Sequence, residues 1–506
     1  MTKSKFYVTT PIYYVNDAPH IGHAYTTILA DVLSRFHRAL GDDTFFLTGL
    51  DEHGQKVQQA AEKRGLQPQA HCDDLAPRFT DLWKKLGISN DDFIRTTQER
   101  HKRIVQAILQ KVYDSGDIYQ KEYEGLYSVA EERFITEKEA ESGQFREVKT
   151  IKEKNYFFKM SKYQERLIKY IEDNPGFIRP EHRKNEMLGF LRQPLTDLCI
   201  SRPKARLSWG IEIPFDRDYV TYVWFDALIN YISAIGYGSV ELTGFDTSPP
   251  FRSAHQMAAP DEAMFKRFWP GVHLIGKDIL TTHSIYWTTM LFSLELPLPE
   301  CIFAHGWWLM GDSKMSKSLG NVVRPLDLIE QHGVDAVRYY LMAEMNLGMD
   351  ANFTPENFIK RYNSDLANDF GNLLNRVSGL IGKNHGGVIP EAGVQTPAED
   401  EVAAAGRALG PKVEALIREY KVDEAINEVM NLIRQVNKYM EAQAPWKLAK
   451  TDLPAAGRVL YTATEAMRLS AALLKPVMPE KAATVLSILG VSDSGLTWGE
   501  LKSGVA

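Results

Sequence analysis

A chain of 506 residues, 44% of them hydrophobic, can bury several cores, roughly three at the usual domain size, which excludes a disordered polypeptide. A formal net charge of -6 excludes a uniformly basic nucleic-acid coat, while folded RNA can still be held by local basic strips. Cys72, Cys199 and Cys301 are too few and too dispersed for a disulfide framework or a four-cysteine zinc site, and no window approaches the ~20 apolar residues of a membrane span, so a soluble, cytoplasmic protein is expected.

Phe6 to Thr10 is β-branched and aromatic, Pro11 and Pro19 bracket a connection, and a helix is predicted from near Gly22. In TFFLTGLDEHG, Phe45 to Leu47 form a short apolar strand that Asp51, Glu52 and His53 follow. Polar residues collected where a buried strand ends suit the ligand-binding edge of an open α/β sheet, though they also suit a merely solvated loop. From about Tyr119 to Phe215 the composition shifts, with EERFITEKEAESGQF followed by aromatic and basic runs, and this reads as an insertion. Strand and helix alternate again through YVTYVWFDALINYISAI and VHLIGKDI, with an apolar helix from about Thr282 to Leu294. After Pro355 the texture is helical: Val422, Ile426, Val429, Ile433 and Val436 recur on one helix face, and Gly386 to Glu401 reads as a loop or edge excursion.

Two segments carry chemistry. PHIGH puts His20 and His23 three residues apart at a helix start, where exposed amides suit a phosphate and imidazoles can donate to phosphoryl oxygens, with Gly22 allowing close approach of backbone or ligand. The same pair would also suit metal ligation or loop packing, but the local pattern offers no third ligand. GDSKMSKSLGN offers Lys314, Ser316, Lys317 and Ser318 between Gly311 and Gly320, two ammonium groups and hydroxyls able to neutralise a triphosphate. Neither GxxxxGK[ST] nor GxGxxG occurs, so P-loop hydrolysis and hydride transfer lose ground.

HIGH at 20–23 and KMSKS at 314–318 resemble the paired signatures of the class I aminoacyl-tRNA synthetases, and TTPIYYVNDAPHIGHAY, GLDEHG, YVWFDALINY, HLIGKDI and KMSKSLGN are similar to the methionyl-tRNA synthetase family in particular. The resemblance covers nearly the whole chain. It implies an α/β fold: a Rossmann-like parallel-sheet catalytic domain in two halves (1–118 and 216–325), split by a connective-peptide insertion (119–215). A linking stem-contact region (326–355) and an α-helical bundle that binds the anticodon (356–506) would follow.

The same resemblance implies a methionine pocket of Ile12, Tyr14, Asp51, Trp224, Ala227, Tyr231 and His283, with Asp51 on the α-ammonium group. An aromatic, apolar slot suits a thioether, although Trp224 and Tyr231 equally suit ordinary core packing. ATP would meet His20, Gly22, His23, Asp278, Lys314, Ser316 and Lys317, with His20, His23, Lys314 and Lys317 catalytic and Mg²⁺ accompanying the nucleotide. Arg202 would stand at the substrate end of the cleft, and Asn372, Arg376 and Trp446 would read the CAU anticodon of tRNA(Met), initiator included. Many relatives bind zinc through CxxC pairs in the connective peptide; here Ser128 and Glu131 stand where the first pair would be, so no protein-bound zinc is expected. Leu228 replaces a proline found in some relatives, and the chain stops soon after LTWGELKSGVA, which favours a monomer acting on methionine, ATP and tRNA, with no DNA or membrane partner. The rival readings are a synthetase for leucine, isoleucine or valine, whose larger editing insertion has no room here, and an inactive RNA-binding module of the same descent.

Overall fold

The computed structural model describes residues 4–15, 18–128, 133–135, 140–141, 148–238, 261–311, 313–314, 323–491 and 497–503. Six strands form one parallel sheet: β1 (Lys5–Tyr14), β2 (Asp43–Asp51), β3 (Asp92–Arg95), β4 (Ile178–Arg179), β5 (Val272–Gly276) and β6 (Cys301–His305), in the spatial order β3-β2-β1-β5-β6-β4. Every residue of β6 is buried, as is β2 from Phe45 onward, because a parallel sheet is covered on both faces. That burial explains why β2 outruns the three-residue apolar core seen in the sequence: Thr48 and Asp51 are polar yet lie inside. Strand order reverses between β1 and β5, which opens a crevice at the carboxyl ends of the strands. Tyr14, Asp51, Gly276 and His305 all end strands there, and α1 (Ile21–Leu40) starts there.

Within the segment expected to be an insertion, an antiparallel sheet pairs Ile118–Ser128 with Val148–Phe158, flanked by Arg133–Ile135 and Leu198–Cys199. The segment does not stand wholly apart, because β4 returns from it to pair with β6 and close one edge of the core sheet. Ser128 is buried on its strand, and Glu131 falls outside the described residues. The apolar helix expected from Thr282 opens as a π-helix, Thr282–Trp287, before continuing as an α-helix over Thr288–Ser293. No helix of the described residues is long and apolar enough to cross a membrane.

Beyond the sheet, α2 (Val334–Glu344) leads to the helical part, with α3 (Asn372–His385), α4 (Pro397–Arg418), α5 (Val422–Gln443) and α6 (Leu453–Leu474). The stripe read from sequence on α5 is buried at all five positions. The loop expected up to Glu401 ends sooner, because Thr396 and Glu399 form a reciprocal capping box that starts α4 at Pro397.

One buried cation ties these parts together. Arg338 of α2 is 0% exposed and donates to Asp31 Oδ2 (2.6 Å) on α1, to the Leu86 carbonyl (3.0 Å), and to the Pro476 and Val477 carbonyls (2.9 and 2.8 Å). Burial opposes the charge on Asp31, yet Arg338 and Arg35 hold its carboxyl below the usual range. Replacing Arg338 with methionine removes one of the two cations on the buried Asp31 carboxylate, which keeps Arg35 and the Ser89 N–H and hydroxyl, and leaves three buried carbonyls without their donor, so it should lower stability by roughly 1–3 kcal/mol. Chemical denaturation of the intact chain reads this, and a first unfolding transition unmoved by the substitution would show that the guanidinium is dispensable.

Candidate active site

The first turn of α1 is capped by imidazoles. His20 is the N-cap and its Nδ1 accepts the Gly22 N–H at 3.1 Å, while Nδ1 of His23 accepts the His20 backbone N–H at 3.2 Å. A ring nitrogen that accepts carries no proton, so each neutral ring bears its hydrogen on Nε2 and is a donor there. The rings stack with centroids 3.8 Å apart. Burial, and then the neighbouring His20, hold His23 well below the ordinary imidazole range, so it stays neutral at pH 7. A Cβ on Gly22 would come within 2.9 Å of His20 Cε1, so the space this glycine leaves is filled by the His20 ring.

The second signature approaches the same helix end. Trp308–Met310 pairs with Ser313–Lys314 in an antiparallel hairpin, and Leu309 lies opposite Lys314. Ser316 and Lys317 lie outside the described residues, as does the Lys314 side chain. Just past that stretch, the Val323 carbonyl accepts the Ile21 N–H at 3.3 Å. Val323, which follows the KMSKS motif in the chain, is thus bonded to the first turn of the helix carrying HIGH.

Register brings Tyr14 opposite Asp51 and Ile12 opposite Gly49, so the tips of β1 and β2 form one wall; Asp51 is 3% exposed. Two short helices, Val223–Ala227 and Asn230–Ser233, bring half-buried Trp224, buried Ala227 and buried Tyr231. Tyr231 Oη lies 2.7 Å from His283 Nε2, and His283 Nδ1 lies 2.9 Å from the Ile279 carbonyl. Since a carbonyl only accepts, Nδ1 donates and the Tyr231 hydroxyl donates to Nε2. Tyr231 also stacks on His273 at 4.1 Å, and His273 takes the Trp287 indole N–H on Nε2 (3.1 Å) and donates from Nδ1 to Thr9 (2.8 Å).

On the other side of the switch point, Asp278 is exposed and accepts the Trp307 indole N–H at 3.0 Å. A Cβ on Gly276 would lie 2.5 Å from its carboxylate, so glycine lets that side chain fold back over the strand end. Arg202 is 2% exposed; it donates to the Ser201 carbonyl (2.7 Å) and Cys199 Sγ (3.1 Å), and its guanidinium lies 4.1 Å from the Tyr222 ring centre. It lies on a short strand, Ser201–Pro203, that pairs antiparallel with Asp216–Thr221 and places Arg202 opposite Val220.

Comparison with known proteins fits this geometry. The profile of the tRNA synthetases class I (M) family matches residues 6–145 and 140–378, and that of the anticodon binding domain of methionyl tRNA ligase matches residues 389–504. The methionine--tRNA ligase of Clostridium acetobutylicum is 46% identical over 99% of this chain and 75% of its own length; that of Bacillus subtilis is 44% identical over 98% and 75%. The methionyl-tRNA synthetase of Mycobacterium tuberculosis in complex with methionyl-adenylate is similar at a TM-score of 0.92 and 36% identity, covering 99% of this chain and 97% of that one. The chain belongs to the methionyl-tRNA synthetase family of class I synthetases.

Ahead of the stretch matched by the anticodon-binding profile, Asn372 is exposed on α3 and Arg376 one turn on donates to Asn437 at 2.8 Å, with Glu441 at 3.9 Å. Both partners sit near the end of α5, after which Pro445–Leu448 carries Trp446. Trp446 is 37% exposed, so its indole is not sealed between helices.

Sequence reading put His53 at the ligand-binding edge of the sheet but missed Ile279, whose carbonyl fixes the His283 tautomer, and Asp226 and His101, which form one buried group with His53. GLDEHG and FDALINY contained two of that group's three residues; His101 lies on an amphipathic helix with no motif around it.

Burial lowers the His283 imidazole from the ordinary 6.5 to about 4. Between those values the unfolded chain binds a proton that the folded one does not, so this contribution to stability is complete above 6.5 and lost as pH falls toward 4, roughly 3 kcal/mol in all. A His283→Gln variant should lose less stability than the parent between pH 7.5 and 4.5. Equal losses in denaturation midpoint would contradict this account.

Proposed function

We infer that the chain is a methionine--tRNA ligase, which joins L-methionine to ATP as methionyl-adenylate with release of pyrophosphate and then passes the methionyl group to the 3'-terminal ribose of tRNA(Met), initiator tRNA included. The observation that supports this reading best is the imidazole-capped end of α1 at the sheet's switch point, bonded through Ile21 to Val323 just after KMSKS, beside the strand tips that carry Tyr14 and the buried carboxylate of Asp51.

In the first step a methionine carboxylate oxygen attacks the α-phosphorus as the bond to the bridging oxygen of pyrophosphate breaks. Neither this nor the later attack by a ribose hydroxyl on the acyl carbon, which breaks the acyl–phosphate bond and releases AMP, needs a protein nucleophile. The residues align the partners and stabilise charge. Asp51 holds the α-ammonium group, and Ile12, Tyr14, Trp224, Ala227, Tyr231 and His283 shape the slot for the thioether. Asp278 accepts from ribose hydroxyls, while Gly22 and Ser316 border the phosphates. His20 and His23 donate from Nε2 to phosphoryl oxygens, and Lys314 and Lys317 neutralise the departing pyrophosphate. Mg²⁺ carried by the nucleotide would supply further shielding of the phosphate charge. Our reading remains a cytoplasmic monomer without protein-bound zinc.

Exchange of labelled pyrophosphate into ATP across a panel of amino acids tests the activation step. Methionine alone should support it; exchange driven by leucine, isoleucine or valine, or none at all, would overturn the reading.

We place Asn372, Arg376 and Trp446 at the anticodon. An indole stacked on an unpaired base contributes ~1 to 3 kcal/mol, so Trp446→Ala should cut aminoacylation of the CAU-bearing RNA roughly ten- to a hundredfold. Methionine-dependent exchange and the melting temperature should stay near the parent's. A joint fall of exchange, melting temperature and aminoacylation would make Trp446 a packing residue instead.

A further inference from the structure

Asp226 lies between two residues of the slot, Trp224 and Ala227, on helix Val223–Ala227, and it is 1% exposed. Its carboxylate is fully engaged: Oδ2 takes His53 Nδ1 at 2.7 Å and Oδ1 takes His101 Nε2 at 2.8 Å. His53 stands two residues beyond Asp51 at the tip of β2, and His101 comes from helix Glu99–Asp114. The other nitrogen of His101 lies 2.8 Å from Ser233 Oγ, on the helix that carries Tyr231. A chain of four buried side chains therefore runs from the strand tip holding the ammonium-binding carboxylate to both short helices that shape the slot.

Its chemistry makes it stiff. Burial works against a charge on Asp226, yet the two imidazoles hold its carboxyl down at about 2, so it is ionised at pH 7 and both N–H bonds are charge-assisted. Such bonds hold their geometry, whereas the short helices themselves have four or five residues and little rigidity of their own.

We propose that His53, Asp226, His101 and Ser233 form a positioning device that sets the span between the carboxylate receiving the substrate's ammonium group and the slot receiving its side chain, and so sets the side-chain length the enzyme accepts. This rests on the function proposed above. The four residues touch the walls of the pocket and none is assigned a part in the phosphoryl chemistry.

The test is pyrophosphate exchange by the full chain with Asp226→Asn, and separately with Ser233→Ala, which removes a single hydroxyl and serves if the first variant does not fold. The KM for methionine should rise roughly tenfold in Asp226→Asn, and severalfold in Ser233→Ala, with the KM for ATP unchanged and kcat within about threefold. The preference for methionine over ethionine, one methylene longer, should narrow. Folded variants with a lower melting temperature but unchanged methionine KM and unchanged preference would overturn the proposal, leaving a purely structural role. Failure of the parent chain to exchange with methionine would instead overturn the assigned function, so the two outcomes are distinct.

Discussion

Arg338 has no access to solvent, so its N–H groups must find acceptors inside the protein, and those acceptors come from several parts of the chain. Asp31 belongs to α1, Leu86 ends the helix packed beside it, and Pro476 with Val477 follow the long helix α6. Carbonyls at helix ends are available only in certain relative positions, so a guanidinium that needs several at once selects one arrangement of the parts over its neighbours. Replacing both Arg338 and Asp31 by well-packed apolar side chains could match the pair in net stability, since desolvating the ions is costly. The pair's contribution is therefore to where α1 sits, and α1 is the element that presents His20 and His23 to the crevice.

Around that helix end the histidines are held neutral. Burial lowers His23, His273, His283 and His305, and each has a partner that fixes which nitrogen carries the proton: a backbone N–H for His23, carbonyls for His283 and His305, an indole N–H for His273. Neutral rings with fixed tautomers need no reorganisation as charge develops; Nε2 of His23 is the donor at the helix end, whereas His273, His283 and His305 give their N–H to Thr9, Ile279 and Gly306. They do little to offset the charge of a triphosphate, and under the proposed function that task falls to the lysines of KMSKS. The two signatures thus divide the work between direction and charge, which is why the Ile21 to Val323 hydrogen bond joining their segments matters.

The elements legible in the sequence were those whose pattern is local: strand tips ending in polar residues, the start of α1, and the apolar stripe of α5. What escaped depends on pairing over distance. A two-residue strand such as β4 has no periodicity of its own, and only its register with Ile302 and Phe303 makes it part of the core sheet. Asp226 meets His53 and His101 across 173 and 125 residues, so nothing near it marks its carboxylate as doubly bonded. The Thr396 and Glu399 capping box was visible as spacing, but the prolines and glycines before it favoured reading a longer loop. The π-helix at Thr282 has an ordinary helical sequence; the extra residue per turn shows only in the backbone.

The slot's polar groups bear on how a thioether is recognised with little hydrogen bonding. Tyr231 and His283 satisfy each other, and His283 spends its remaining N–H on a backbone carbonyl, so the pair leaves no ring nitrogen of His283 waiting for a substrate. A site built around an unmet donor or acceptor would favour an amino acid bearing a hydroxyl or amide, because an apolar side chain would leave that group buried and unpaired. Under the proposed function, methionine meets a Tyr231–His283 pair already satisfied and strands neither of them. Discrimination then rests on shape and length, where one methylene is worth only ~1–3 kcal/mol. A difference that small survives only if the walls hold their spacing, which gives a physical reason for tying the short helices of the slot to β2 through a buried ionised carboxylate.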